Sequence, residues 1–133
     1  MSFGYSVSDI FTVILFAWKI YNSCTSASDD FKDVSREVAT LHLLLKETER
    51  YLSNQNGELN SDWEARIRNL EDGCKEILAD LEKILEKYKS LGKSSKKLKD
   101  KVRFALLEDI KSIRGRLMSC IATVTAFNSS IAR

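Results

Sequence analysis

Apolar residues recur along most of this chain at alternating intervals of three and four, the spacing of amphipathic helices. The pattern predicts four helices at about residues 9–24, 29–53, 62–90 and 104–131, with a basic linker at 91–103. Four apolar stripes in 133 residues favour one all-α domain, because each stripe can then be buried within the chain. We therefore predict an antiparallel four-helix bundle with up-down-up-down topology. A long antiparallel coiled coil is the competing arrangement.

The first predicted helix is apolar around more of its circumference than the other three. From Ile10 to Tyr21 only Thr12 and Lys19 are polar. Its apolar residues form two adjacent stripes, one of Ile10, Ile14, Ala17, Tyr21 and Cys24, and the other of Val7, Phe11, Leu15 and Trp18. One stripe is sufficient for packing on a bundle, so the second predicts contact with another chain or with a membrane surface.

This apolar segment has 12 residues, whereas about 20 are needed to cross the hydrocarbon layer of a membrane. No basic residue precedes it, so it also lacks the pattern of a secretory signal peptide. The three cysteines are widely spaced and have no metal-ligand spacing, which indicates reduced intracellular thiols. We therefore expect a cytoplasmic protein that reaches a membrane only by recruitment.

The later helices each have one stripe and recognisable start signals. Ser28 followed by Asp29 and Asp30 suits the beginning of the second helix, and Ser61 with Glu64 has the spacing of a capping box. The stripes are Phe31, Val34, Val38, Leu41, Leu45, Thr48 and Leu52; then Trp63, Ile67, Leu70, Cys74, Ile77, Leu81, Ile84 and Tyr88; then Ile110, Ile113, Leu117, Cys120, Val124, Phe127 and Ile131. These stripes predict buried core positions, among them Leu45, Leu70, Cys74, Leu81 and Leu117.

Charge is segregated along the chain, although the net charge is only +2. Residues 92–106 contain six basic residues against one acidic residue, a local charge of +5. This basic cluster consists of Lys93, Lys96, Lys97, Lys99, Lys101 and Arg103. A solvent-exposed loop is the ordinary interpretation, and contact with anionic lipid headgroups is the functional one. Nucleic-acid binding is less favoured, because no aromatic residues lie between the basic ones, and we expect no nucleic-acid partner.

No residue pattern in the chain supports catalysis. The single histidine, His42, lies beside the second stripe and is interpreted as a structural residue at the edge of the core. The segment Gly92–Ser94 resembles the end of a phosphate-binding loop, but Lys87 stands where that motif requires a glycine. Cys24, at the end of the first helix, is the cysteine expected to be exposed. We therefore expect a protein that is not an enzyme, with no cofactor and no metal.

Several ordered blocks of sequence point to a family. They are Ser2–Asp9, Asp30–Val38 with leucines at 41 and 44, Cys74–Glu82 and Ile121–Asn128. These blocks resemble the N-terminal domains of fungal STAND proteins, the NLR-like receptors, which are grouped with the HeLo-like domains. The segment Trp63–Leu85 is more loosely similar to the coiled-coil domains of plant NLR receptors, whose acidic motif is not reproduced here.

The resemblance implies a helical bundle at the N-terminus of a receptor, followed by nucleotide-binding and repeat domains that this chain does not contain. We therefore expect the chain to be an isolated domain of such a receptor. HeLo-like domains are associated with membrane targeting and regulated cell death, in which the first helix is exposed on oligomerisation. This mechanism agrees with the excess of apolar surface on the first helix.

The leading hypothesis is a non-enzymatic signalling domain of innate immunity that forms a homo-oligomer and delivers its first helix to an anionic membrane or another chain. The delivered face consists of Val7, Phe11, Leu15 and Trp18. The basic cluster supplies the lipid headgroup contacts. The alternative is a protein–protein adaptor module that uses the same face and has no membrane activity.

Overall fold

A computed structural model describes residues 7–54, 61–91 and 96–132. Over these ranges the fold is all-helical: α1 spans Val7–Thr25, α2 spans Lys32–Ser53, α3 spans Ser61–Leu91 and α4 spans Lys96–Ile131, with a 3-10 turn at Asp29–Phe31 before α2. The predicted all-α class is confirmed. The first three helices begin and end within three residues of their predicted bounds.

Serine and threonine side chains end α1 and begin the next helical segment. The hydroxyl groups of Thr25 and Ser26 both donate to the carbonyl of Asn22 at 2.9 Å, so a terminal carbonyl of α1 is satisfied locally. The side-chain oxygen of Ser28 then accepts from the backbone N–H of Asp30 at 3.3 Å. This bond caps the 3-10 turn that leads into α2.

The predicted linker requires correction, because α4 begins at Lys96 rather than at residue 104. The segment 96–103 contains no glycine or proline, and lysine is a good helix former. Val102 and Leu106 also continue the apolar stripe of Ile110 at intervals of four, and Leu106 is 2% exposed. Burial of this extended stripe outweighs the repulsion between neighbouring basic residues, which solvent screens.

The four helices pack around one apolar core. The extensive contacts join α1 to α2 and α3, and join α4 to the same two helices. Each helix therefore has two main neighbours. The predicted core positions are confirmed, since Leu45, Cys74, Leu81 and Leu117 are 0% exposed and Leu70 is 6% exposed.

A buried polar network joins α2 to α4. Thr48 Oγ1 donates to Asn128 Oδ1 at 2.6 Å, and the Asn128 amide donates to the carbonyl oxygen of Leu44 at 3.1 Å. Thr48 is 0% exposed and Asn128 is 3% exposed. A buried polar group that loses its partner costs about 1 to 3 kcal/mol, so the network opposes any shift of α4 along α2.

The expected exposure of Cys24 is wrong, since this residue is 2% exposed. Cys24 follows Ile20 by one helical turn and therefore continues the buried stripe into the last turn of α1. Burial raises the pKa of the Cys24 thiol to about 12, which keeps the sulfur protonated at neutral pH.

We expect truncation of Leu45, Leu81 or Leu117 to alanine to lower the free energy of unfolding by about 2 to 5 kcal/mol, because each side chain is fully buried. Leu43→Ala is a matched control on α2, since Leu43 is 64% exposed and its loss should cost at most about 0.5 kcal/mol. Urea unfolding followed by circular dichroism measures both. Similar costs at Leu43 and Leu45 would contradict the helix orientation.

Candidate interaction surface

α1 buries one side and leaves apolar residues on the other in solvent. The inward residues, each at most 7% exposed, are Ile10, Val13, Ile14, Ala17, Ile20 and Cys24. On the opposite side, Phe11 is 49% exposed, Leu15 is 64% exposed and Trp18 is 49% exposed. These three residues are called the outer face of α1 below. Val7 begins the same helix, but its side chain lies outside the described part of the structure.

Trp18 extends this face towards α2. Its ring stacks on Tyr21 with a centroid distance of 5.3 Å and lies 5.2 Å from the ring of His42 on α2. Burial and, to a lesser extent, the charge of Lys46 lower the pKa of His42. The imidazole is therefore neutral at pH 7, and it forms an uncharged border between α1 and α2.

The α3 side of the outer face has a charged border. Lys19 is the only basic residue of the apolar segment, and its Nζ lies 3.1 Å from Glu82 Oε2 on α3. The outer face of α1 is therefore an apolar strip between an ion pair and a neutral imidazole. Such a strip favours contact with another apolar surface rather than with a charged ligand.

The basic cluster is described only in part. Lys93 lies outside the described residues, and the side chains of Lys96, Lys97 and Lys99 also lie outside them, although their backbone belongs to α4. Lys101 and Arg103 are exposed. Arg103 donates to Asp30 Oδ1 at 3.1 Å, and this bond raises the pKa of its guanidinium. This contact joins an early turn of α4 to the 3-10 turn that precedes α2.

Sequence reasoning missed several exposed apolar residues. They are Leu43 on α2 and Phe104, Leu107 and Met118 on α4, which are 64, 71, 41 and 58% exposed. Each lies off the apolar stripe of its own helix, so its position in the sequence already indicated that it would lie outside the core. Phe104 and Leu107 lie on α4, which does not pack extensively against α1. The outer face of α1 differs from these scattered residues because its three members follow one another at intervals of four and three residues.

A buried carboxyl group lies near the start of α1. Glu71 on α3 is 1% exposed, and its Oε2 has no hydrogen-bond partner among the described residues. Burial is the main cause that raises its pKa, to about 7, and the charge of Asp9 on α1 adds to the effect. Lys75 opposes the shift. The contact between α1 and α3 therefore favours a protonated Glu71.

Between pH 4.5 and about 7 the unfolded chain releases the Glu71 proton while the folded domain retains it, so this group makes stability fall as pH rises. The fall ends above about pH 7 and amounts to at most about 3 kcal/mol. We expect Glu71→Gln to match the original protein near pH 4.5 and to be more stable at pH 8. Chemical denaturation at a series of pH values measures the difference.

Glu86→Gln is the control for this experiment, because Glu86 is an exposed glutamate on the same helix. It should leave the pH dependence of unfolding unchanged. A Glu71→Gln variant whose stability follows the same pH curve as the original protein would contradict the raised pKa.

Comparisons of this chain with protein-family models, curated proteins and solved structures found no match. Within the described ranges no helix has the length and apolar character required to cross a membrane. The same ranges contain no group of three or more His, Cys, Asp or Glu residues placed to hold a metal ion.

Proposed function

We propose that this domain is a non-enzymatic signalling module that self-associates through the outer face of α1. The observation that carries the proposal is the row of three large exposed side chains, Phe11, Leu15 and Trp18, on one side of one helix. Aromatic and large aliphatic residues in a contiguous row are typical of the cores of protein interfaces. A second copy presents the same row, so two such faces can pack in a symmetric contact.

The bundle proposed here runs up-down-up-down. Contacts that support this course are Glu37–Arg114 and Thr48–Asn128 between α2 and α4, and Cys74–Cys120 and Asp80–Arg116 between α3 and α4. Residue numbers increase together across the first pair of helices and in opposite directions across the second. Under this course the end of α1 that carries Trp18 and the basic start of α4 lie at the same end of the bundle.

The resemblance to HeLo-like domains supplies the biological setting of the proposal. The domain would form the N-terminus of a cytoplasmic fungal NLR-like receptor in innate immunity and regulated cell death, with nucleotide-binding and repeat domains after it. Self-association would collect several copies of the outer face, and the basic cluster would attract this surface to an anionic membrane. Apolar contact and basic charge together give stable attachment where either alone is weak.

Replacement of Phe11 and Leu15 by glutamine should remove self-association. The expected loss of stability is at most about 1 kcal/mol, because both side chains are largely exposed. Ile14→Ala on the buried side of the same helix should instead cost about 2 to 5 kcal/mol. Sedimentation velocity over a range of concentrations measures association, and urea unfolding measures stability.

Phe104→Gln with Leu107→Gln is the control for exposed apolar area, since this pair lies on α4. It should leave self-association intact. If the α4 pair removes association and the α1 pair does not, the interface lies on α4 and the proposal fails. A chain that stays monomeric at every concentration would also reject it.

The membrane step is tested with charge reversal. We expect Lys96→Glu, Lys97→Glu and Lys99→Glu together to weaken binding to phosphatidylserine-containing vesicles at least about a hundredfold, because each basic residue near such a surface contributes about 1 kcal/mol. Replacement of Arg50, Lys75 and Lys111 by glutamate changes net charge equally at exposed positions away from the start of α4 and should have a smaller effect. Vesicle flotation measures binding.

The adaptor alternative predicts different results in the same assays. If the original protein binds no anionic vesicles while Phe11 and Leu15 still control association, the domain acts on proteins alone. If the charge reversals leave vesicle binding unchanged, the basic cluster takes no part in membrane attachment.

A further inference from the structure

Two cysteine sulfurs meet in the contact between α3 and α4. Cys74 Sγ on α3 and Cys120 Sγ on α4 are 3.2 Å apart, and both thiols are free. A disulfide bond has a sulfur–sulfur distance of about 2.05 Å, so the two atoms need to approach by only about 1.2 Å to form one. The helices already hold the thiols as neighbours, and no large rearrangement is required.

Only one of the two thiols is accessible to solvent. Cys74 is 0% exposed, whereas Cys120 is half-buried and lines a cleft of about 450 Å³ between α3 and α4. Gly73 lines the same cleft, and a Cβ atom at that position would meet nothing within 4 Å, so the space beside the pair is open. A water molecule occupies about 30 Å³, and a molecule as small as hydrogen peroxide therefore fits in the cleft. Hydrogen peroxide in the cleft therefore meets Cys120, whereas Cys74 is buried.

The two thiols differ in acidity because they share one contact. Either sulfur can be the donor in this contact, and the contact lowers the pKa of Cys120 against the opposing effect of burial. The same contact, together with burial, raises the pKa of Cys74. Cys120 is therefore the sulfur that becomes a thiolate, the reactive form, while Cys74 keeps its proton.

We propose that Cys74 and Cys120 form a redox-active dithiol that a peroxide oxidises to a disulfide joining α3 and α4. The Cys120 thiolate attacks one oxygen of hydrogen peroxide, the O–O bond breaks, and a sulfenic acid and hydroxide form; the hydroxide takes a solvent proton to become water. Cys74 Sγ then attacks Cys120 Sγ, the S–O bond breaks, and water leaves with the Cys74 proton. Two thiols and one peroxide thus give one disulfide and two waters.

The disulfide would link positions 46 residues apart and restrict the unfolded chain accordingly. We expect oxidation to raise Tm by roughly 5 to 15 °C. This inference is independent of the proposed self-association, because the dithiol lies between α3 and α4 and the outer face lies on α1. Cys24 is an internal reference, since it is buried and its thiol pKa is raised to about 12.

The test treats the reduced full chain with hydrogen peroxide, blocks the remaining thiols with N-ethylmaleimide after unfolding, and measures the intact mass. Untreated protein should take up three labels, and oxidised protein should take up one, on Cys24. Trypsin places the three cysteines in separate peptides, residues 20–32, 69–75 and 117–133. The expected product is a cross-link between residues 69–75 and 117–133.

Variants identify the role of each sulfur. Cys24→Ser should form the cross-link at an unchanged rate, and Cys74→Ala should stop at a sulfenic acid on Cys120 that dimedone traps. In Cys120→Ala, Cys74 should react with peroxide at least roughly tenfold more slowly than Cys120 reacts in the original chain. Three labels after peroxide treatment, a cross-link that includes Cys24, or a disulfide between two chains would each overturn the proposal. The mass of the original protein decides the question even if a variant does not fold.

Discussion

A helix with two neighbours can bury only part of its circumference, and this constraint governs the surface of the domain. α1 contacts α2 and α3, and its inward side consists of β-branched and small residues such as Ile10, Val13 and Ala17. These residues allow close packing, whereas the larger Phe11 and Trp18 remain outside. Because α1 is apolar on both sides, no rotation of this helix within the bundle could cover all its apolar residues. The exposed face is therefore a consequence of the amino-acid pattern of α1 and not of loose packing.

Buried polar groups act in opposite ways on the two sides of the core. Between α2 and α4, Thr48 and Asn128 satisfy each other and stabilise one register of the two helices. Between α1 and α3, Glu71 has an oxygen without a partner among the described residues, and its burial is unfavourable once the carboxyl group ionises. At neutral pH the cost of Glu71 falls on the contacts of α1 and α3. Glu37 Oε2 on α2 also lacks a partner among the described residues, but its other oxygen, Oε1, accepts from Arg114 on α4 at 2.6 Å. The helix that carries the candidate interaction surface is thus also the one beside a pH-sensitive contact.

Periodicity alone predicted the helices and most of the core, because burial in a bundle follows the three-four spacing. It missed the first turns of α4, where the density of lysine suggested a linker although Val102 and Leu106 continue the stripe. Glu71 also lies at helical spacing from Ile67 and Cys74, so its burial had a signal that its charge obscured. The contact of Cys74 with Cys120 could not be predicted, because the relative shift of two helices depends on packing along their full length. The sequence of α1 predicted a second apolar stripe, but whether the bundle covers that stripe depends on tertiary packing and could not be predicted.

α3 carries both the buried carboxyl group and one of the two neighbouring thiols. One side of this helix presents Glu71 near Asp9 of α1, and another presents Cys74 to Cys120 of α4. In the proposed oxidised form, a covalent bond would hold α3 to α4 while the contact between α3 and α1 would remain non-covalent and would weaken as Glu71 ionised. Separating α3 from α4 in that form would require breaking a disulfide, so α1 and α2 would be the helices held only by non-covalent contacts. Of these two helices, α1 is the one whose contact with α3 contains the ionisable Glu71, so a rise in pH would weaken α1 while the disulfide kept α3 and α4 together.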